Sequence, residues 1–387
     1  MKPSITLIFL VFAFSCGQKS DSPVSEKTTI QLFSSGDPAP PSLAERQARN
    51  RPPSKFEPVP EHRLLFVGNN LEDIGGTEGY DMGYLDHFDT PTGLSMNIKI
   101  RTGDSEYGYL HGPLSGFTDM ADWGRGPHNM ATFLAEYDLI NCAISLGIDF
   151  GGHGEKILSG YYDDHLMEMA GWLSALGDRA IFLRIGYEFD QPSSLYKQEH
   201  FTNVFRYVRA YLEEKEVDNV TFVWHAMGDQ MTNEDLEAWY PGDDAVDWIG
   251  FSYYYPNDMH REINFALAHN KPIFLASATP VLSIRGQSKR TILAYPDDGL
   301  EARNNWFTPL FQLLDEYPDV IRAITYVHSN WQNYPMNRYI PRFQHLDSRL
   351  FINKKMKNMW QTEVERPVYL RPTDDMWNYL AIQRDAQ

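Results

Sequence analysis

The chain has 387 residues, 42% of them hydrophobic, which is enough for a large core and excludes global disorder. Its length suits two or three average domains or one large α/β barrel. With 34 basic and 52 acidic residues the formal charge is −18, so phosphate backbones are repelled and nucleic acid is a poor partner.

The first segment opens Met1-Lys2 and runs apolar from Ile5 to Phe14, ending Ser15-Cys16. It is too short to span a bilayer as a mature helix and fits the apolar part of an export signal. Small residues just before Cys16 resemble a bacterial lipobox. The expectation is therefore a signal over residues 1–16, lipidation at Cys16, and anchoring on the periplasmic side or the cell surface. A plain signal peptide cut nearby is the alternative. Residues 17–60, rich in Ser, Pro, Lys and Glu, read as a flexible tether, which leaves residues 61–387 as the folded body. The second cysteine, Cys142, lies in the apolar run LINCAISLGI and reads as a buried thiol.

Eight strand-like runs follow in order: HRLLFVG (62–68), LSMNIKI (94–100), LINCAISLGI (139–148), AIFLRIGY (180–187), NVTFVWHA (219–226), DWIGFSYY (247–254), PIFLASAT (272–279) and IRAITYVH (321–328). Amphipathic stretches lie between them, clearest at 163–176, 202–215 and 306–317. Continuous apolar strands alternating with helices describe a parallel sheet covered by helices. Eight such units predict a single-domain (β/α)₈ TIM barrel. The segment beyond the eighth strand reads as a last helix and a tail on the same domain.

Barrels of this kind place their active sites at the C-terminal ends of the strands. Those ends carry Asn69, Asn70, Glu72, Asp73, Asp149, Arg184, Tyr187, Glu188, Asp190, Trp224, His225, Tyr253, Tyr254, Ser277, Thr279, His328, Asn330 and Trp331. Carboxylates, imidazoles, phenols and indoles thus crowd one rim, a mixture suited to sugars. Cleaving a glycosidic bond needs an acid to protonate the departing oxygen and, usually, a second carboxylate on the opposite face. Glu188 is the best proton donor, and apolar neighbours such as Phe189 and Tyr187 are expected to raise its pKa. Its bland role, an ion pair with Arg184, is disfavoured because side chains four apart on a strand are roughly 13 Å apart. His225 and His328 lack close-spaced metal-ligand patterns, so neither a metal nor another cofactor is expected.

DHLMEMAGWLSALGDRAIFLRIGYEFD (164–190), WYPGDDAVDWIGFSYY (239–254), KPIFLASATP (271–280) and YPDVIRAITYVHSNW (317–331) resemble, in that order, segments of glycoside hydrolase family 26. The resemblance implies a barrel with mannanase- or xylanase-type, endo-acting chemistry on a β-linked polysaccharide. It implies Glu188 as acid/base, Tyr254 or its neighbour Tyr253 as the tyrosine that orients the nucleophile, and Trp224 and Trp331 as walls of the sugar cleft. Two departures stand out. The family has His before the acid and Asn two residues after it, where this chain has Tyr187 and Asp190. The family also puts its nucleophilic Glu where this chain has Ser277.

A serine neither attacks an acetal readily nor stabilises an oxocarbenium ion by charge. Three readings follow. Another carboxylate (Asp190, Glu72, Asp73 or Asp149) serves as base for inversion; Tyr254 or His225 substitutes; or the barrel binds glycan without cutting it. Hydrolysis is favoured, with Glu188, Asp190 and Tyr254 as catalytic candidates. Tyr187, Trp224, His225, Tyr253, Ser277, His328 and Trp331 are the substrate-binding candidates. If their loops turn inward, Arg125, Arg285, Lys289 and Arg290 suit an anionic or sulfated glycan. Nothing in the sequence sets an oligomeric state.

Overall fold

The structure is a computed structural model. It describes residues 36–381, apart from 48, 102–104, 107–108, 135, 137–138, 192–193, 282–290, 293–298, 341–342 and 374. Cys16 with the whole export segment, and Arg285, Lys289 and Arg290, lie outside the described residues.

Eight parallel strands close into a barrel: β1 (Leu64–Val67), β2 (Gly93–Lys99), β3 (Ala143–Asp149), β4 (Ile181–Ile185), β5 (Val220–Ala226), β6 (Trp248–Tyr253), β7 (Ile273–Ala278) and β8 (Ile321–Tyr326). Each pairs with its neighbours in sequence, and β8 closes on β1 in the register Leu64↔Ala323 to Val67↔Tyr326. The eight expected strands are all present, within a few residues of their expected limits.

Alternation along each strand sorts its side chains. Phe66, Phe182, Val223, Trp248, Phe274 and Ala323 point inward and fill the lower bore. Their rings pack edge to edge or tilted, with Phe66 centred 5.2 Å from Phe182 and 5.1 Å from Phe274. Phe66 lies so close over Gly93 that a Cβ there would stand 2.4 Å from the ring, which explains a glycine at the start of β2. Outward residues such as Leu65, Leu183, Phe251 and Tyr326 meet the surrounding helices.

Those helices are α1 (Asp163–Ala175), α2 (Gln198–Glu214), α3 (Asn233–Trp239), α4 (His260–Ala268), α5 (Thr308–Glu316) and, after β8, α6 (Lys354–Val364). A capping box between Thr232 and Asp235 starts α3. Among the described residues the helices in the connections after β1 and β2 are single turns, Leu71–Ile74 and Ala131–Leu134, and the second connection also carries a short antiparallel pair, Ser105–Glu106 with Tyr109–Leu110. Residues 100–130 contain six glycines and two prolines, which disfavour longer helices, so this stretch forms rim instead.

The tether expected through residue 60 is shorter than that, because its last part is bound to the barrel floor. Trp248 Nε1 donates to the Lys55 carbonyl at 2.9 Å, and Phe56 N donates to the Ala381 carbonyl at 2.7 Å. Buried Arg322 donates to the carbonyls of Pro58 and Val59 at 2.6 and 2.7 Å. Further upstream Arg46 pairs with Asp319 at 2.9 Å. A proline-rich strip has few N–H groups to satisfy but many carbonyls to offer, and buried arginines use them. Phe56, Leu370 and Leu380 plug the bore from below, so the described part of the C-terminal tail packs against the barrel. No helix among the described residues is long and apolar enough to cross a membrane.

Parity also corrects three site candidates. Trp224 points outward, fully buried among Phe189, Tyr240 and Phe265 at 5.4, 5.4 and 5.6 Å, with its indole N–H on the Trp239 carbonyl. Tyr253 points outward against Trp306 at 5.6 Å. His328 points outward between Tyr84 and Phe351, both at 5.6 Å, and accepts from Leu350 N. None of the three faces the bore. Trp224→Ala should therefore lower unfolding free energy by about 3–5 kcal/mol, the usual cost of a buried tryptophan. Urea denaturation will read that loss, and glycan affinity of the folded fraction should stay unchanged.

Candidate active site

The upper bore is polar where the lower bore is aromatic. On β4, Arg184 follows Phe182 on the inward face; on β6, Ser252 and then Tyr254 follow Trp248. A register shift occurs on β7, where Phe251↔Leu275 is followed by Ser252↔Ser277. That bulge brings both Ala276 and Ser277 to the cavity wall.

Glu188 lies just past β4 in a left-handed backbone conformation, φ +49°, two residues after Gly186 at φ +67°. Such a conformation costs a non-glycine residue roughly 1–2 kcal/mol. It is held by Glu188 N donating to the His225 carbonyl at 2.8 Å. The turn carries the carboxyl, 7% exposed, into the barrel mouth. Its Oε1 accepts from Ser252 Oγ at 2.6 Å and from the Tyr254 hydroxyl, and its Oε2 accepts from the Gln191 amide. Tyr254 is in turn 3.0 Å from Ser277 Oγ. Ser277, Tyr254 and Glu188 thus form one hydrogen-bonded chain. Phe189 leaves the carboxyl altogether, stacking on Trp239 at 4.8 Å in the helix layer. The surroundings of Glu188 are accordingly hydrogen-bond donors rather than the expected apolar rings.

His225 Nε2 lies 3.1 Å from Ser252 Oγ. Because Ser252 gives its own proton to Glu188, His225 donates through Nε2–H. Burial, with Arg184 nearby, holds its pKa well below the usual value, so the ring is neutral. Arg184 donates to Ser95 Oγ and Asn97 Oδ1 at 3.1 and 3.0 Å, partners on another strand, not to Glu188. Burial lowers its pKa to about 10, and it stays charged at neutral pH beneath the Tyr187 ring.

These groups open into a hollow whose wall includes Trp331 and Phe343. The two rings stack at 4.4 Å, and the Trp331 indole N–H is shared between Thr279 and Ser348. A second hollow, of about 140 Å³, shares Arg125, Tyr187, Glu188 and Gln191 with the first, so the two form one cleft. Glu188, Tyr254, Tyr187, His225, Ser277 and Trp331 therefore line one space.

The expected second carboxylates are engaged elsewhere. Asp190 caps the loop after β5, its two oxygens accepting from Met227 N and Gly228 N at 2.6 and 2.8 Å. Burial raises its pKa to about 6 even so. Asp149 binds Arg101, Gly151 N and Tyr196. Burial would raise its pKa, but Arg101 and Lys99 outweigh that and hold it low. Glu72 and Asp73 both accept from the Tyr334 hydroxyl in a separate hollow. Among the described residues lining the hollow beside Ser277, Glu188 is the one carboxylate.

Sequence reasoning missed Ser252 and Gln191 as partners of Glu188, and Phe343 as a wall. Strand parity could have found Ser252, two residues before Tyr254 on the same face. Gln191, three residues after Glu188, is within reach of any tight turn. Phe343 arrives on a long loop and carries no local signal.

A closed parallel barrel with a carboxyl-bearing, aromatic-walled cleft at its C-terminal mouth is the architecture of a carbohydrate-active barrel. The Glycosyl hydrolase family 26 model matches residues 186–335, which hold Glu188, Tyr254, Ser277 and Trp331. A β-1,3-xylanase of Alcaligenes sp is 28% identical over 342 residues, covering 84% of this chain and 68% of that protein. The β-1,3-xylanase TXYA of Vibrio sp is 27% identical, covering 83% and 69%. Among solved structures, a GH26 β-mannanase from Bacteroides ovatus superposes with a TM-score of 0.54 at 15% identity, over 88% of this chain and 96% of that one. GH26C from Muricauda sp. gives 0.52 at 14%, over 83% and 91%. The chain is a glycosidase, and over residues 186–335 it is similar to glycosyl hydrolase family 26.

Asp73, in the separate hollow it shares with Glu72 and Tyr334, supplies a test of its own. Burial raises its pKa to about 8, against hydrogen bonds from Ser329 and Tyr334. The native state therefore keeps a proton that the unfolded chain loses above about pH 4, so stability falls as pH rises from about 4 to about 8 and then levels. Asp73→Asn should remove that slope and leave the variant more stable than the parent at pH 8, by on the order of a few kcal/mol. Urea midpoints across this range decide it; an unchanged slope would refute the assignment.

Proposed function

We propose that this glycosidase cuts within a β-linked polysaccharide of the β-1,3-xylan type, with Glu188 as general acid and water, not a protein carboxylate, as the incoming nucleophile. Support for the substrate comes from the two β-1,3-xylanases it resembles over more than four fifths of its length. Support for the mechanism comes from the hydrogen-bonded chain joining Ser277 through Tyr254 to Glu188. The export segment fits an enzyme acting outside the cytoplasm on a lipid anchor at Cys16, and fatty-acid labelling lost on Cys16→Ala would test that.

In this mechanism Glu188 gives its proton to the departing glycosidic oxygen, which leaves with the bonding electron pair. The oxocarbenium ion is met from the opposite face by a water lodged against Ser277, in the space a longer glutamate would fill. Once bonded to carbon, that water is strongly acidic. Its proton passes to Ser277 Oγ, the serine proton to the Tyr254 oxygen, and the tyrosine proton to Glu188 Oε1, restoring the acid. The anomeric centre is inverted, and no base beyond the chain is needed.

Reducing-end release and proton NMR of the first product from β-1,3-xylan test this. The parent should release the α-anomer. Glu188→Gln should cut turnover by about 10³-fold and Tyr254→Phe by about 10²-fold, as for lost proton transfer. Ser277→Glu should raise the rate and switch the product to the β-anomer. If the parent retains the polymer without generating reducing ends while Ser277→Glu cuts it, the natural protein is a glycan binder and the hydrolytic reading fails.

A further inference from the structure

A chain of net charge −18 nonetheless gathers cations in its cleft. Lys99, Arg101 and Arg125 line the hollow they share with Glu188 and Asp149, and Arg184 with Arg125 lines the other. Each of three has an evident local role. Arg101 pairs with Asp149 at 3.3 Å, Lys99 lies over the Trp123 ring at 5.0 Å, and Arg184 is held by Ser95 and Asn97.

Arg125 differs from these. Among the described residues it has no carboxylate within ion-pair reach, and its Nε faces the Met336 sulfur at 2.6 Å. A half-buried guanidinium beside a thioether has lost hydration and gained little in return. The loop nevertheless fixes it firmly. The Arg125 carbonyl accepts from Asn70 Nδ2 at 2.8 Å, and Gly126, at φ +92°, is pressed so closely on Asn70 that a Cβ would stand 2.6 Å away. Arg125 also lines both hollows, so it borders the space beside Glu188 where a sugar would lie.

We propose that the natural substrate carries an anionic group, a sulfate ester or a carboxylate, on the sugar beside the scissile bond, and that Arg125 is its receptor. This inference rests on the glycan-cleft reading above and specifies its substrate. The planar guanidinium fork matches either anion with two parallel hydrogen bonds. A neutral hydroxyl cannot return the same energy to a desolvated cation.

The test uses β-1,3-xylan in neutral, chemically sulfated and carboxymethylated forms. Affinities are measured calorimetrically on Glu188→Gln, so binding is read apart from turnover, at about 50 and about 500 mM NaCl. One anionic polymer should bind at least about tenfold more tightly than the neutral one, and high salt should narrow the gap. The better of the two anionic polymers identifies the substituent. Arg125→Gln should reduce the anionic-to-neutral ratio about tenfold, whereas Arg125→Lys should keep the salt dependence with a smaller ratio. Equal or tighter binding of the neutral polymer overturns the inference, as does an Arg125→Gln loss equal for all three. A parent that binds the anionic polymer selectively but never cuts it refutes hydrolysis and leaves this inference standing.

Discussion

Everything in the site depends on a limit of space inside the barrel. A strand residue of a closed parallel barrel points either into the bore or out to the helices, and this bore is filled from below. Phe66, Phe182, Trp248 and Phe274 occupy its lower part, with Phe56 and Leu370 closing the floor. Only the next inward layer is left to meet substrate. It consists of Ser95, Asn97, Arg184, His225, Ser252 and Ser277, with Tyr254 and Glu188 just above. The aromatic plug is thus the rigid floor on which a polar layer stands, and the polar layer in turn fixes Glu188.

The same limit explains what could be read from the sequence. Strands and their order were legible because each is a continuous apolar run bounded by polar or glycine-rich segments. Glu188 was legible because it ends such a run. Choosing among its neighbours required parity, which strand ends alone do not give. Trp224 and His225 are adjacent, yet one lies in the helix layer and the other in the bore. Tyr253 and Tyr254 divide in the same way. Ser277 would be hard to place by counting alone, because the bulge on β7 changes the parity at that point. Arg125, Gln191 and Phe343 come from loops, whose path depends on contacts distant in sequence. The bound stretch before residue 60 was missed because its composition is that of a linker, while its backbone carbonyls serve Arg322.

The polar layer also determines what protons can do. His225 is neutral and donates to Ser252, and Ser252 donates to Glu188. The ring therefore offers no proton of its own at ordinary pH and acts by orienting Ser252. Arg184 donates to Ser95 and Asn97 and does not neutralise the carboxyl by direct pairing. One mobile route remains, the line of hydroxyls from Ser277 through Tyr254. Both of its ends, Ser277 and Glu188, line the same hollow, so a proton passing along it stays within the space open to substrate.

Charge joins the serine to the arginine. The hollow around Glu188 holds two arginines, Arg125 and Arg184, against one glutamate. A glutamate in place of Ser277 would set a second carboxylate against the two arginines. With serine there, positive charge is in excess in a partly dehydrated space, where it interacts far more strongly than in water. An anionic sugar supplies the missing negative charge and gains most where Arg125 stands. On this view Ser277 and Arg125 belong to one electrostatic arrangement: what the protein lacks in carboxylate, its substrate brings.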